Sequence, residues 1–317
     1  MVNVNEDRLT KFLLPVDKDG TLHQTASVAG AMAKVLGDRV KQITVLHVMA
    51  GQYLKNRMMN IDYRVDFVLE NKVLQELKKE YMERQSRPIL DEVIQDLKQI
   101  GVKAPIDGRI EDGDPVNKIQ SICEEEGYST IVMARRSLSP IKQILLGSVS
   151  MGILHRKGKA SVYLLGKEDF PTDSCPVART LIAIDGSDKS YNAVKEASIL
   201  YKACLGRIDQ ITLLTVIDLS TYDEVISGGR SPEMEAKFFL DKAKMLLSDH
   251  GIPTQIVETK ALYGRPADII CEEADKLNVQ MIFLGRTGTS MMKGLFMGSV
   301  SLGVLNKCVS KVVALVN

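Results

Sequence analysis

Two halves of this 317-residue chain repeat one another in order. Phe12-Leu13-Leu14-Pro15-Val16-Asp17 matches Leu181-Ile182-Ala183-Ile184-Asp185, and residues 43–48 match residues 211–216, ending in Val48 and Val216; both pairs lie 168 positions apart. Gly113-Asp114-Pro115 matches Gly264-Arg265-Pro266, and Gly147-Ser148-Val149-Ser150 matches Gly298-Ser299-Val300-Ser301, both 151 apart. Four ordered matches at two constant offsets mark a tandem duplication, the first copy carrying 17 extra residues between Val48 and Gly113. The length suits two domains of about 150 residues. These are taken as 1–168 and 177–317. Residues 167–176, with two prolines and several turn-formers, read as the linker.

Within each copy, short runs rich in Val, Ile and Leu alternate with amphipathic stretches. Such runs suit strands buried on both faces. In the second copy they predict strands near 180–185, 210–217, 254–260, 280–284 and 311–316. Ser187 is expected to cap a helix running to about Cys204, with further helices over 233–250, 265–277 and 299–307. The alternation implies an α/β fold: a parallel sheet with right-handed crossovers and helices on both faces. Ligands of such sheets bind beyond the carboxyl ends of the strands. Asp185, Val216, Gly264 and Gly285 all fall there.

Gly285-Arg286-Thr287-Gly288 follows the apolar run 281–284, and nine residues then lead to Gly298-Ser299-Val300-Ser301. Glycine permits positive φ and lets backbone approach a phosphate. A Gly-Ser at a helix start offers unpaired N–H groups and hydroxyls to an anion. Arg286 is either a phosphate partner or an ordinary solvated arginine. Asp185 is either an acceptor for a ribose or base edge, or the cap of the next helix, because Asp185-Gly186-Ser187 is also good turn chemistry.

The second copy resembles a universal stress protein domain of the ATP-binding kind. That family's pattern of Gly, two residues, Gly, nine residues and Gly-Ser is met by Gly285, Gly288, Gly298 and Ser299. Asp185-Gly186-Ser187 and Val216 stand at its other positions, and the resemblance extends over nearly the whole chain as a fused pair. It implies two tandem Rossmann-like (adenine nucleotide alpha hydrolase-like) domains, each a five-stranded, mainly parallel sheet. It implies that Asp185 and Val216 hold the adenosine. Gly285, Gly288, Gly298, Ser299 and Ser301 would hold the ribose and phosphates, and Arg286 and Val300 complete the expected nucleotide-binding set. ATP is the expected ligand, ADP or AMP the substitutes, and Mg²⁺ is left open. The resemblance also implies pairing of the two units through their last strands, 161–165 and 312–316, and leaves homodimerisation open.

The first copy departs from the pattern. Ala134-Arg135-Arg136-Ser137 replaces the two glycines, and Lys18-Asp19 replaces the Gly-Ser after Asp17. A Cβ where positive φ or close approach is needed costs on the order of 1 kcal/mol or more. This pocket is therefore expected to bind ATP weakly, differently or not at all. Asp17, Val48, Gly147, Ser148 and Ser150 would keep a degenerate site for an anion or smaller nucleotide. The extra residues fall between Met49 and Pro88, a stretch that includes Tyr53, Met58, Met59, Tyr63 and Phe67. Val73, Leu77 and Tyr81, then Leu90, Val93, Ile94 and Leu97, keep helical spacing. The segment reads as an extended helix on its own sheet or as a lid or partner surface, with Pro88 starting a helix or kinking one.

Several classes are disfavoured. Lys+Arg 41 against Asp+Glu 40 gives no basic excess for nucleic-acid phosphates, and 5% aromatics without Trp gives no stacking platform. There is no P-loop. His23, His47, His155 and His250 form neither metal spacing nor a triad, and His47 reads as a packed strand residue. Ser227-Gly228-Gly229-Arg230-Ser231 reads as a flexible loop. Residues 1–7 lack a signal-peptide core, and no apolar run approaches the roughly 20 residues needed to span a bilayer. Five cysteines without short spacing read as reduced packing thiols in a cytoplasmic protein. The expectation is a nucleotide-binding stress-response regulator without robust catalysis. The alternatives are a slow ATPase or nucleotidyl-transfer enzyme, with a base positioned by Asp112 or Asp114, and an interaction module with vestigial pockets.

Overall fold

A computed structural model describes residues 7–18, 20–49, 75–76, 79–80, 82–135, 146–218, 231–288 and 297–317. In the first unit β1 (Lys11–Pro15), α1 (Leu22–Leu36), β2 (Gln42–Met49), α2 (Arg87–Ile100), β3 (Ile106–Asp112), α3 (Pro115–Glu125), β4 (Thr130–Met133), α4 (Ser148–Leu154) and β5 (Ser161–Leu164) follow in order. The second contains β6 (Arg179–Ala183), α5 (Asp188–Ala203), β7 (Gln210–Ile217), α6 (Pro232–Asp249), β8 (Val257–Tyr263), α7 (Pro266–Lys276), β9 (Met281–Gly285), α8 (Ser299–Lys307) and β10 (Val312–Val316). Strand β8 begins three residues later than the pattern suggests. Pro253 opens a 3-10 turn over Thr254–Ile256, and extended backbone resumes at Val257.

Pairing within each unit is parallel, in the orders β3-β2-β1-β4-β5 and β10-β9-β6-β7-β8. The units then join edge to edge. Val313, Ala314 and Leu315 of β10 lie antiparallel to Leu164, Tyr163 and Val162 of β5, which fuses two five-stranded sheets into one of ten strands. Every residue of β5 and β10 is buried, as befits a sheet centre whose edges would otherwise invite foreign strands. Helices cover both faces. Residues of α1, α2, α5 and α6 build one apolar layer and residues of α3, α4, α7 and α8 the other, and each layer runs through both units.

The connecting segment is docked rather than loose. Lys167 and Glu168 donate backbone N–H groups to the carbonyls of Val309 and Ser310, while Cys175 and Val177 are buried. Of the extra stretch in the first unit, Tyr53, Met58, Met59, Tyr63, Phe67, Val73, Leu77 and Tyr81 lie outside the described residues. Its end is a π-helical turn over Met82–Ser86 that runs into α2, with Pro88 in the first helical turn. Ile89, Leu90, Val93 and Leu97 form the buried face of α2. Residues 227–230 of the glycine-rich run also lie outside the described residues, and Ser231 caps α6 by accepting from Met234 N at 3.3 Å.

The reading of all five cysteines as reduced thiols requires correction. Cys271 in α7 and Cys308 at the end of α8 are joined by a disulfide, with Cα atoms 5.3 Å apart. Their separation of 37 residues carries no sequence signature, and only the packing of α7 on α8 brings them together. Cys123, Cys175 and Cys204 are free and buried. Burial pushes the Cys123 thiol up to about 12, so it acts as a packing group.

Candidate functional site

The second unit opens a cleft of about 530 Å³ at the carboxyl ends of β6, β7 and β9, where the strand order reverses. Asp185, Val216, Gly285, Gly288, Val300 and Ser301 all line it. Leu214, Ile270 and Leu284 add apolar wall, and Pro266 stands where the repeated Gly-x-Pro turn enters α7. Gly264 itself holds φ at +145°, as Gly113 holds +140° in the first unit, so each makes the turn, and neither is among the residues that line its cleft.

Asp185 is exposed at the mouth of the cleft, and the turn reading of it holds. Its Oδ1 accepts from Ser187 N at 3.0 Å and Ser187 Oγ at 2.6 Å, forming the turn that lets Ser187 cap α5. Its Oδ2 lies over Gly288, where any Cβ would collide with it. A Cβ on Gly285 would come within 2.8 Å of Ser190 N, the backbone of the first turn of α5. Positive φ plays no part, because Gly285, Gly288 and Gly298 all keep negative φ. These glycines serve close approach alone.

The loop is bound to its surroundings through backbone groups. Arg286 N donates to Val316 O at 2.8 Å, Gly298 N donates to Arg286 O at 3.0 Å, and Ser301 Oγ donates to Gly285 O at 2.9 Å. Gly298 is the N-cap of α8 and supplies no side-chain oxygen, while Ser299 stands exposed beside it. Ser301 is thus a strut between loop and helix as well as a lining residue. Arg286 is not a phosphate partner in this geometry. Its guanidinium is buried and donates to the carbonyls of Ile153, Leu154 and Arg156 in the other unit. Nearby, burial and the charge of Asp185 push the Tyr191 phenol up, and Lys242 Nζ sits 4.1 Å from its ring centre.

The first unit repeats the arrangement in a cleft of about 650 Å³ lined by Asp17, Val48, Ala134, Gly147 and Ser150. Ser148 is exposed at the start of α4. Ser150 Oγ donates to Ala134 O at 3.1 Å, the counterpart of the Ser301 strut. Helix α1 starts at Leu22, two positions later in the repeat than α5, where Ala134 stands in place of Gly285. Arg136 and Ser137 lie outside the described residues. His47 donates from Nδ1 to Val16 O at 3.0 Å, just as Thr215 Oγ1 donates to Ile184 O at 2.9 Å, so it is a buried strand residue. Asp114 caps α3 by accepting from Asn117 N at 2.8 Å. Among the described residues no cluster of three metal-ligating side chains occurs, and no helix is long and apolar enough to cross a membrane.

The Universal stress protein family model matches residues 9–158 and 177–315. The chain belongs to the universal stress protein family. A solved universal stress protein from Archaeoglobus fulgidus DSM 4304 is similar in fold over 97% of this chain and 98% of its own, with TM-score 0.65 and 23% identity. Universal stress protein MJ0577 of Methanocaldococcus jannaschii is 25% identical over 153 residues, 47% of this chain and 90% of that protein. Another universal stress protein, solved in complex with cAMP, is 22% identical over 44% of this chain and 94% of its own, with TM-score 0.32. The fold is thus the family's Rossmann-like one, present twice.

Proposed function

We propose that this chain is a nucleotide-binding stress-response regulator that holds ATP chiefly in the cleft of its second unit. One observation carries the reading: Gly288 packs beneath the Asp185 carboxylate and beside Gly298, so loop and helix start form a shelf of bare backbone. A shelf of this kind admits phosphates and offers them the uncapped first turn of α8. Val216, Leu214 and Ile270 give an apolar wall for a base, and Asp185 gives an acceptor for a ribose. ADP or AMP would use the same contacts, and a divalent cation would arrive with the phosphates.

The proposed action is to bind and signal. Asp185, the carboxylate among the described lining residues, is already engaged by Ser187, which leaves it poorly placed to activate water, so any hydrolysis would be slow. The first cleft, with Ala134 and Arg135 in its loop, would serve as a weaker second site. Calorimetric titration of nucleotide-free protein with ATP and Mg²⁺ tests the reading. One site per chain is expected, lost in a Gly288→Val, Gly298→Val variant. Failure of the wild-type protein to bind would overturn it in favour of an interaction module.

A further inference from the structure

Both glycine-loop positions carry an arginine, Arg286 in the second unit and Arg135 at the matching place in the first. Neither side chain turns to its own cleft. Arg286 Nη2 donates to the carbonyls of Ile153, Leu154 and Arg156 at 2.8, 2.9 and 2.5 Å, at the end of α4. Arg135 Nη1 donates to Leu305 O and Cys308 O at 3.0 and 2.7 Å, and its Nη2 to Lys311 O at 3.2 Å, at and just beyond the end of α8. Leu154 and Leu305 are themselves partners in the repeat. The exchange is therefore reciprocal: each unit's loop arginine caps the last helix of the other unit.

A helix end leaves its last carbonyls without intrahelical partners and carries the negative end of the helix dipole. A guanidinium, with five donors in a planar fork, satisfies several of them at once. Only 3% of Arg286 and 6% of Arg135 are exposed, so solvent cannot replace these bonds. Each capped helix then reaches back to a cleft. Val149 and Ser150 of α4 line the first, and Val300 and Ser301 of α8 line the second. The loop of one cleft is thus joined, through one side chain and one short helix, to the wall of the other.

We propose that Arg135 and Arg286 are positioning residues that couple the two clefts. Arg135 seats α8 beside the second cleft, and Arg286 seats α4 beside the first, so a nucleotide that orders the Gly285–Gly288 loop also orders α4. The coupling rests on the nucleotide reading of the second cleft, and by linkage it acts in both directions. Burial lowers Arg135 to about 10, where it is still charged at neutral pH, and burial lowers Arg286 as well.

Hydrogen exchange on the full chain, with and without ATP, tests this alongside calorimetry. In wild-type protein ATP should slow exchange of the amides at the end of α4, about Ile153 to Arg156, as well as those of residues 285–288. This readout requires no variant to fold. Arg286→Lys should bind ATP but lose the response at α4. Arg135→Met should weaken ATP binding about five- to tenfold, with Arg135→Lys between it and wild type. Wild-type protein that binds ATP without any change at α4 overturns the coupling and leaves the nucleotide reading intact, and wild-type affinity in Arg135→Met does the same. Wild-type protein that binds no ATP overturns both.

Discussion

Glu196 occupies the middle of α5, only 1% exposed, and three side chains of the first unit converge on it. Arg8 Nη1 and Ser161 Oγ donate to its Oε2 at 2.7 and 2.6 Å, and Tyr163 OH donates to its Oε1 at 2.8 Å. Burial, reinforced by this carboxylate, pushes the Tyr163 phenol far up, so the phenol stays a donor at any ordinary pH. A carboxylate so placed is tolerable only because each partner is present, and removing one side of such a pair costs several times what the intact pair contributes. Glu196→Ala should therefore lower unfolding free energy by about 3–5 kcal/mol in urea denaturation. Adding Arg8→Met should recover part of that loss, since it removes the stranded guanidinium. Purely additive losses in this cycle would show that the pair is not coupled. Nothing in the sequence around Glu196 marks its carboxylate as an interface group, because all three donors come from the other unit. Arg286 was illegible for the same reason: its partners belong to the other unit, 130 or more positions away.

Elements were more legible than side chains because they answer to local rules. Ser187 accepts from Ser190 N at 3.2 Å as the cap of α5, and α8 begins at Ser299, where the Gly-Ser signal puts it. Strand β8 starts later than the pattern suggests because Pro253 opens a 3-10 turn over Thr254–Ile256, which delays extended backbone to Val257. The cleft-lining positions Asp185, Val216, Gly285 and Gly288 were readable because each sits at or just past a strand's carboxyl end, a place that alternation of elements already fixes. The electrostatics between elements were not readable. Glu273 on α7 accepts from Lys260 of β8 and from Lys276, both at 3.0 Å. Burial would raise the Glu273 carboxyl, but these two bonds prevail and hold it below its ordinary value of 4.5. A folded value below the unfolded one means that the stabilisation is fully present above the unfolded pKa and is lost as pH falls through the folded value. Glu273→Gln should accordingly cost about 1 kcal/mol near neutrality and almost nothing in strong acid. Chemical denaturation at a series of pH values checks this, and a cost that does not vary with pH would exclude the ion-pair origin.

At the scale of the molecule, one sheet and two apolar layers run through both units and tie the unfolding of one to that of the other. The layer over α1, α2, α5 and α6 runs without a break from Phe12 to Val316, and the opposite layer joins Leu13 to Leu315. Tyr163 stands at the seam. It is fully buried in β5, lies opposite Ala314 in the antiparallel ladder, and meets the Phe283 ring of the second unit edge-on at 6.4 Å. The continuity of this core predicts that the chain unfolds as a single cooperative unit, despite a length that usually separates domains. Calorimetry of the wild-type chain should show one transition, with equal calorimetric and van't Hoff enthalpies. Tyr163→Ala removes the ring contact, leaves a cavity in the seam and deprives Glu196 of a donor, at a cost of about 3–5 kcal/mol. Because the loss is concentrated where the units meet, the variant should melt in two steps, each unit reporting its own stability. A lowered but still single transition in Tyr163→Ala would mean that the ladder between β5 and β10 and the surrounding aliphatic packing suffice to keep the units cooperative, and that the ring is not what joins them.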